Sequence, residues 1–218
     1  MVGEVIIYLA PTDRWGLAYE PIVREEDAAW ADRDALPGPM LFPYGGMFSA
    51  ANAGAMRGVI ATLQPGSIME IGVWAGRTAE HSSTDCILGA KPPGCRYVGV
   101  DIHDAGRRQH VETVGDEFCR FIQADSSDRE AIEREMPEDT RPLDLLFIDG
   151  RHSLNQCLRD WQYAEWVRPG GVVLLHDVNR HPGPPLLFEA VDEKLFDKAD
   201  LFPGDNADYG MALLRRRD

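Results

Sequence analysis

Residues 67–78 constrain the fold more than any other part of the sequence. They read Ser-Ile-Met-Glu-Ile-Gly-Val-Trp-Ala-Gly-Arg-Thr, a short apolar run with one acid, followed by two glycines. Such a run, stopped by glycine, is typical of a buried strand in a parallel sheet. Gly72 and Gly76 let the backbone turn sharply and approach a ligand, and Thr78 can cap a helix over 79–88. Strand, glycine turn and helix N-terminus form the crevice in which open α/β sheets bind nucleotide-like ligands.

The rest of the chain alternates between strand and helix patterns, which indicates an α/β, doubly wound fold with right-handed crossovers. Apolar periodicity and the positions of glycine and proline set the expected boundaries. We predict strands over 97–101, 118–124, 143–149 and 172–175, helices over 49–63, 128–136 (started by Ser127 with Glu130), 153–167 and 186–196, and a terminal hairpin of strands over 199–202 and 209–214.

Residues 1–46 stand apart from this alternation. They contain five prolines and several aromatic residues among many acids, with a possible strand over 5–9 and helix over 25–33. Aromatic residues in irregular segments often line or cover a site. We therefore divide the chain into an N-terminal lid or oligomerisation segment, 1–46, and a main domain, 47–218.

Charge and cysteine content exclude several classes of protein. The 218 residues carry a formal net charge of −14, which leaves no obvious footprint for nucleic acid. No apolar run is long enough to cross a bilayer, and no signal peptide is recognisable, so we expect a cytoplasmic protein. The four cysteines are widely spaced without a Cys-x-x-Cys pair, and we expect reduced, mostly buried thiols.

The glycine turn itself separates two cofactor classes. It lacks the middle glycine of a dinucleotide fingerprint, because Trp74 stands there, and Glu70 would repel phosphate but suit a cationic ligand. The stretch resembles motif I of class I S-adenosylmethionine-dependent methyltransferases. That resemblance implies that Glu70 faces the methionine end of the cofactor, with Gly72 and Gly76 beneath it. It also implies a Rossmann-like, seven-stranded sheet with a C-terminal antiparallel hairpin and an N-terminal appendage.

Two later strands also end in acids. An acid at the end of the second strand, here Asp101, commonly accepts hydrogen bonds from ribose hydroxyls in nicotinamide enzymes and methyltransferases alike. The end of the third strand resembles the adenine-binding motif of the methyltransferases. The resemblance implies that Asp125 accepts from the exocyclic amine and that Ser126 meets a ring nitrogen; otherwise Asp125 only caps the next helix.

The strongest chemical signal follows the fourth and fifth strands. Asp149 and Asp177 end adjacent strands and share one edge of a parallel sheet, where two carboxylates can hold a divalent cation such as Mg²⁺. His176 or Asn179 can supply a third contact. His152 can take the proton of a hydroxyl group bound to that metal.

This part of the chain resembles metal-dependent small-molecule O-methyltransferases of bacterial natural-product pathways. The resemblance rests on Phe-Ile-Asp-Gly-Arg-His-Ser, then Asp160, Arg-Pro-Gly-Gly-Val-Val and His-Asp-Val. It includes macrolide and aminocoumarin sugar methyltransferases, grouped with cephalosporin-hydroxylase-like proteins, and more distantly catechol and caffeoyl-CoA O-methyltransferases. It implies that Asp149 and Asp177 are metal ligands and His152 is the base. The sugar enzymes tend to carry an acid where this chain has His176, a softer ligand that would admit Mn²⁺, Fe²⁺ or Zn²⁺.

We therefore expect an S-adenosylmethionine-dependent O-methyltransferase that acts on a hydroxyl of a small molecule, with a sugar or natural-product intermediate as the first choice of acceptor. A metal-free variant stays open, in which His152 acts alone and Asp149 orients it. The alternatives are a nicotinamide-dependent oxidoreductase, and a non-catalytic or accessory protein of the same fold. The chain can also form a homo-oligomer.

Overall fold

The computed structural model describes residues 4–5, 16–17, 23–24, 48–73, 82–104, 106–202 and 209–218. Strands and helices alternate through most of this length. The strands are β1 Glu4–Val5, β2 Val23–Arg24, β3 Ser67–Ile71, β4 Arg96–Asp101, β5 Cys119–Gln123, β6 Leu143–Ile148, β7 Val167–His176, β8 Phe196–Asp200 and β9 Met211–Arg216. The helices are α1 Ala50–Leu63, α2 Ser83–Ala90, α3 Arg107–Val114, α4 Arg129–Glu135, α5 Leu154–Trp161 and α6 Gly183–Ala190, with 3₁₀ turns at Glu138–Thr140 and Gln162–Trp166.

Seven of the strands form one sheet in the order β5-β4-β3-β6-β7-β9-β8. Strands β3 to β7 pair in parallel, and β9 runs antiparallel to both of its neighbours, β7 and β8. The predicted doubly wound, seven-stranded sheet with a C-terminal antiparallel hairpin is thereby confirmed. The strand order reverses between β3 and β6, and ligands of open α/β sheets bind outside the carboxyl ends of the strands at such a switch point.

Apolar side chains cover both faces of the sheet and form two core clusters. All five residues of β3 are buried, and all but Ser67 and Glu70 are apolar. On one face, α5 contributes Trp161, which is completely buried and packs against Phe196 of β8. Truncating a buried side chain of this size typically lowers the free energy of unfolding by about 3–5 kcal/mol. The packing of Trp161 therefore holds α5, and the loop before it, against the sheet.

Helix α1 agrees with the sequence-based prediction. The side chain of Ser49 accepts a hydrogen bond from the Asn52 amide and caps the helix, and Gln64 ends it in the left-handed conformation. The inner face holds Met56 and Ile60 together with Asn52. A buried asparagine facing the sheet needs a polar partner, and that partner lies in the candidate site described below.

Other boundaries differ from the predictions. Helix α2 begins at Ser83 because the side chain of Ser82 accepts from the Asp85 amide. The predicted cap at Thr78 is therefore wrong for this helix, and Thr78 and Gly76 lie outside the described residues. Helix α4 is capped by Asp128, not by Ser127, whose hydroxyl instead donates to Asp125.

The segment after α5 was also predicted incorrectly. The helix ends at Trp161 and a 3₁₀ turn follows, while Val167 already belongs to β7, where it pairs with Leu143. The register between β6 and β7 shifts just after that pair, which accommodates a proline and two glycines within the strand. The last predicted helix was likewise too long, because Phe196 starts β8 and pairs with Arg216.

Little of the N-terminal segment is described. Strand β1 pairs antiparallel with β2, and Leu17 forms an isolated bridge with Val191. The division at residue 46 stays a prediction, and the predicted helix over 25–33 lies outside the described residues.

Two expectations from composition are met in the described part of the chain. All four cysteines are buried and free. No helix in the described segments combines the length and apolar character needed to span a bilayer.

Candidate active site

The turn after β3 brings the carboxyl ends of β3 and β6 together. Gly72 has a φ of 89°, and a Cβ atom at this position would lie 2.0 Å from the carbonyl oxygen of Asp149. Both the positive φ and this close approach require glycine. The Gly72 amide donates to Val100 of β4, and the Asp149 amide donates to Ile71. The glycine turn therefore fixes the start of the β6 loop at the switch point of the sheet.

Asp149, His176 and Asp177 meet at this edge, as the sequence predicted. His176 ends β7, and its Nδ1 lies 3.1 Å from Asp149 Oδ1 and 3.3 Å from Asp177 Oδ1. Its Nε2 lies 2.9 Å from the side-chain nitrogen of Asn52. One imidazole thus joins two acids on one side and the inner face of α1 on the other.

His152 joins the same cluster from the loop before α5. Its Nε2 lies 2.5 Å from Asp177 Oδ2 and 3.6 Å from Asp149 Oδ1. The side chain of His152 is 16% exposed, whereas that of Asp177 is 3% exposed. The histidine is therefore the member of this pair that a ligand can reach, and Asp177 holds it from the buried side.

The backbone of Asp177 explains how one carboxylate meets two histidines. Its φ is 63°, a left-handed conformation that non-glycine residues rarely adopt. Hydrogen bonds on both sides hold it there: its amide donates to Gly210, and its carbonyl accepts from the amide of His181. Such backbone strain persists only where surrounding structure enforces it, and it is concentrated at functional sites.

The electrostatics of the cluster favour charged groups in spite of burial. Burial opposes a positive charge on His176, but the carboxylates of Asp149 and Asp177 outweigh it and raise the pKa of the imidazole to about 10. Burial alone would raise the pKa of Asp177, yet His176 and His152 hold it well below its usual value. Asp177 thus keeps its charge between two imidazoles, and strongly shifted pKa values of this kind are common at functional sites.

The structure adds one histidine that the sequence did not single out. His181 is almost buried, and its ring stacks on His152 with centroids 4.1 Å apart and planes 14° apart. The available signal was the spacing Asp177-x-x-x-His181, which matches one turn of backbone and is closed here by the hydrogen bond between these two residues.

Glu70 occupies a different environment. It is completely buried beneath the Gly72 turn, where the hydroxyl of Ser83 donates to Oε1 at 2.6 Å, and those of Thr84 and Tyr97 donate to Oε2. Burial raises its pKa from 4.5 to about 7, although these three hydroxyls oppose the shift. Glu70 therefore ties the first turn of α2 to the sheet, next to the predicted cofactor crevice.

Asp101, the predicted ribose ligand, lies at the end of β4 beside the glycine turn. Its Oδ1 accepts from the His103 amide at 2.7 Å, and its Oδ2 is 3.5 Å from Nε of Arg107. Arg107 also donates to the carbonyl of Val73 at 2.6 Å. Burial raises the pKa of Asp101, and Arg107 connects it to the backbone that follows Gly72.

Asp125 and Ser126 follow β5, and both are engaged by other protein groups. Asp125 Oδ1 accepts from the amide and the hydroxyl of Ser127, a local turn. The Ser126 hydroxyl donates to Asp160 Oδ1 at 2.6 Å and accepts from Gln156 at 2.8 Å. Burial raises the pKa of Asp160 to about 7. The Ser126 hydroxyl is therefore already bonded to two side chains of α5, and an adenine contact would have to be made in addition to these bonds.

The cluster also has the composition of a cation site. Ligand atoms of Asp149, His176 and Asp177 all lie within 4.8 Å of one another. Two carboxylates suit a hard divalent cation, and the imidazole broadens the choice of metal. If Nδ1 of His176 binds a metal, the ring proton is on Nε2. The side-chain oxygen of Asn52 can accept that proton once the oxygen and nitrogen of its amide exchange places. The residues therefore fit the predicted metal.

Comparison with known proteins gives a consistent picture. The model of a family described as "Methyltransferase domain" matches residues 69–178, half of the chain, a span that includes every predicted site residue. No curated protein matches.

Several solved structures share the fold. An O-methyltransferase from Bacillus cereus in complex with SAH is 18% identical, with a TM-score of 0.55 over 89% of this chain and 90% of that chain. The O-methyltransferase TomG from Streptomyces achromogenes, involved in tomaymycin synthesis and solved with SAM, is 19% identical, with a TM-score of 0.56 over 96% of this chain and 100% of that chain. MycE of the mycinamycin biosynthetic pathway, solved with Mg, SAH and mycinamycin VI, is 18% identical, with a TM-score of 0.53 over 88% of this chain and 54% of that chain.

Proposed function

This chain belongs to the methyltransferase domain family, and on that premise we propose that it transfers a methyl group from S-adenosylmethionine to a hydroxyl of a small molecule. The observation that carries the proposal is the cluster of His152, Asp177, Asp149 and His176 at the switch point of the sheet, beside the Gly72 turn. An imidazole held by a buried acid, at the edge where this fold binds its ligand, suits the deprotonation of a hydroxyl group.

In this proposal His152 is the general base. We assign the ring proton of His152 to Nε2, which lies 2.5 Å from Asp177 Oδ2, so that Nδ1 is the basic nitrogen. Asp177 also stabilises the imidazolium that forms when Nδ1 takes the proton of the acceptor hydroxyl. The acceptor oxygen then attacks the methyl group of the sulfonium in line, the carbon–sulfur bond breaks, and S-adenosylhomocysteine leaves with the electron pair.

The cofactor would lie across the carboxyl ends of β3 and β4. We assign Asp101 to the ribose, Asp125 and Ser126 to the adenine, and Gly72 with Gly76 to the floor beneath the methionine end. The carboxyl group of Glu70, buried beneath the turn, would attract the positively charged sulfonium group of the cofactor. Its hydrogen bonds with Ser83 and Thr84 also anchor α2.

We further propose that Asp149, His176 and Asp177 hold a divalent cation, Mg²⁺ in the first place. When bound, such a cation lowers the pKa of an acceptor hydroxyl. In the metal-free variant, His152 acts alone with Asp149 orienting it, and the imidazolium of His176 supplies the positive charge between the two acids. The Mg in MycE supports the first variant, and the raised pKa of His176 supports the second.

A hydroxylated natural-product intermediate or sugar is our first choice of acceptor. TomG is involved in tomaymycin synthesis, and MycE belongs to the mycinamycin biosynthetic pathway and was solved with mycinamycin VI. The net charge of −14 argues against nucleic acid as the acceptor. A cytoplasmic location, and a homo-oligomer or lid built from residues 1–46, complete the proposal.

The decisive experiment is calorimetry of the purified protein with S-adenosylhomocysteine, before and after EDTA, and then with Mg²⁺ added back. Binding of the nucleoside, with a separate Mg²⁺ heat that Asp149→Ala or Asp177→Ala removes, is the expected result. Nucleoside binding without any Mg²⁺ heat would contradict the metal site and favour the metal-free variant.

Two other results would contradict more of the proposal. No binding of S-adenosylhomocysteine would overturn the cofactor assignment and return attention to nicotinamide ligands. Tight binding without methyl transfer to any hydroxylated compound in a broad acceptor panel would favour a non-catalytic member of the fold.

A further inference from the structure

A second group of ligand-bearing side chains lies beside the proposed magnesium site. Ligand atoms of His152, Asp177 and His181 lie within 4.8 Å of one another. The two groups share Asp177, whose Oδ1 faces His176 and whose Oδ2 faces His152. The second group therefore extends the cluster on the side that includes the more exposed histidine.

The chemistry of the two groups differs. Asp149, His176 and Asp177 offer two carboxylates and one imidazole, whereas the second group offers two imidazoles and one carboxylate. Magnesium prefers oxygen ligands, while imidazole suits Zn²⁺, Fe²⁺, Ni²⁺ and Cu²⁺. Two histidines with one carboxylate are also the ligand set of several catalytic zinc sites and of non-haem iron sites, which keep positions open for water or substrate.

The elements that hold the second group are already fixed. His152 is anchored at the start of α5, and Asp177 and His181 belong to one hydrogen-bonded turn. The rings of His152 and His181 stack on each other, and a ligand atom of each lies within 4.8 Å of a carboxylate oxygen of Asp177. The three side chains are therefore already gathered, and a cation that binds them requires only a rotation of the stacked rings that turns one nitrogen of each toward it.

We propose that His152, Asp177 and His181 form a binding site for a borderline transition-metal ion such as Zn²⁺, chemically distinct from the magnesium site. Zn²⁺ at this site is coordinated by the imidazole of His152, and the coordinated ring can no longer accept a proton from the acceptor hydroxyl. Borderline cations are therefore inhibitors of methyl transfer, whereas Mg²⁺ is not. This inhibition rests on the proposed function, but the binding of the ion does not.

Calorimetry with Zn²⁺ and, separately, with Mg²⁺ tests the site on the full chain without any acceptor. We expect His181→Ala to weaken Zn²⁺ binding by at least about tenfold, since even the loss of groups that only orient a ligand costs about that much. The same variant should bind Mg²⁺ as the wild type does. His103→Ala, which removes an exposed histidine from a nearby loop, is the matched control and should leave the Zn²⁺ affinity unchanged.

Asp149→Ala separates this proposal from the magnesium site. It should remove the Mg²⁺ heat and retain Zn²⁺ binding, because Asp149 is not a member of the second group. A wild type that binds Zn²⁺ but not Mg²⁺ would contradict the metal-dependent mechanism and leave the second site standing. Equal Zn²⁺ affinities in His181→Ala and wild type would overturn the second site, whatever the result with Mg²⁺.

A His181→Cys variant guards against loss of affinity through misfolding. Cobalt(II) has a coordination chemistry close to that of zinc, and a thiolate bound to it gives an intense charge-transfer band in the near ultraviolet. We expect that band in a cobalt-loaded His181→Cys variant that also carries Cys157→Ser, and not in Cys157→Ser alone. Cys157 is removed from both proteins because it is buried close enough to His152 and Asp177 for their charges to act on its thiol. A folded variant that binds cobalt without the band would overturn the assignment of residue 181 as a ligand.

Discussion

Glu70 and Asp177 are both buried carboxylates on the same sheet, and their surroundings differ in one respect. Glu70 receives hydrogen bonds from three hydroxyl groups, which carry no charge. Asp177 lies between the imidazoles of His152 and His176. At Glu70 the effect of burial exceeds that of the hydrogen bonds and raises the pKa to about 7. At Asp177 the two imidazoles outweigh burial and lower the pKa.

The comparison separates an acid that supports the fold from an acid that supports chemistry. A carboxylate held by hydroxyls can be neutral near physiological pH without loss of its hydrogen bonds, since the protonated acid can donate to a hydroxyl oxygen. A carboxylate between two histidines keeps its charge and controls the proton on each ring. We therefore expect substitutions at the two positions to differ in kind as well as in size.

The largest expected effect concerns the base that Asp177 holds. With any acceptor that the wild type methylates, His152→Ala should lower the turnover number by roughly 10²–10⁴-fold, the usual contribution of a general base. Binding of S-adenosylhomocysteine should stay nearly unchanged. The measurement is the steady-state rate of S-adenosylhomocysteine formation, with calorimetry of the nucleoside as the control; undiminished turnover would exclude His152 as the base.

Removal of the charge of Asp177 should have the next largest effect. Asp177→Asn leaves the buried ring of His176 with Asp149 as its remaining acid, and loss of one partner of a buried ion pair typically costs about 3–5 kcal/mol. The folded-state pKa of Asp177 is lowered, so its stabilisation is present above the usual value of 3.8 and is lost as the pH falls below it. Urea unfolding near neutral pH measures the difference; equal stabilities would mean that the imidazoles do not depend on this acid.

Glu70→Gln should behave in the opposite way. The folded-state pKa of Glu70 is raised from 4.5 to about 7, so its stabilising contribution is complete below pH 4.5 and is lost as the pH rises through 7. The unfolding free energy of the variant should therefore gain on that of the wild type by roughly 2–3 kcal/mol between about pH 4.5 and pH 8. Urea unfolding at both pH values tests this, and a difference that does not change with pH would show that Glu70 is ionised throughout.

Features that depend on neighbouring residues in the chain can be predicted from the sequence, whereas features that depend on contacts between distant residues cannot. The alternation of strands and helices, the glycine turn and the meeting of Asp149, His152 and Asp177 at one edge follow from local patterns and the rules of parallel sheets. The extension of β7 back to Val167 does not, because pairing with Leu143 and a register shift override the local tendency of proline and glycine to end a strand.

Side-chain partners are harder to predict than positions along the chain. The sequence places Glu70 at the turn, but its hydroxyl partners come from the first turn of α2 and from β4, and that helix begins later than its pattern indicated. His181 escaped notice because its importance depends on a ring contact with His152 across the fold. The spacing between Asp177 and His181 predicts the turn that joins these two residues, but it does not predict the contact with His152.

The smallest expected effect is also the most discriminating test of how hydroxyls hold Glu70. Ser82 and Ser83 are neighbours, but Ser82 caps α2 through the Asp85 amide, whereas Ser83 donates to Glu70. Ser82→Ala should cost about 1 kcal/mol at every pH, the usual value of a cap. Ser83→Ala should cost about 1 kcal/mol near pH 5 and about twice that near pH 8, since a hydrogen bond to a charged acceptor is roughly twice as strong. If the stabilities of the two variants change with pH in the same way in urea unfolding, Ser83 does not stabilise the ionised form, and the distinction between Glu70 and Asp177 would then rest on the two imidazoles at Asp177 alone.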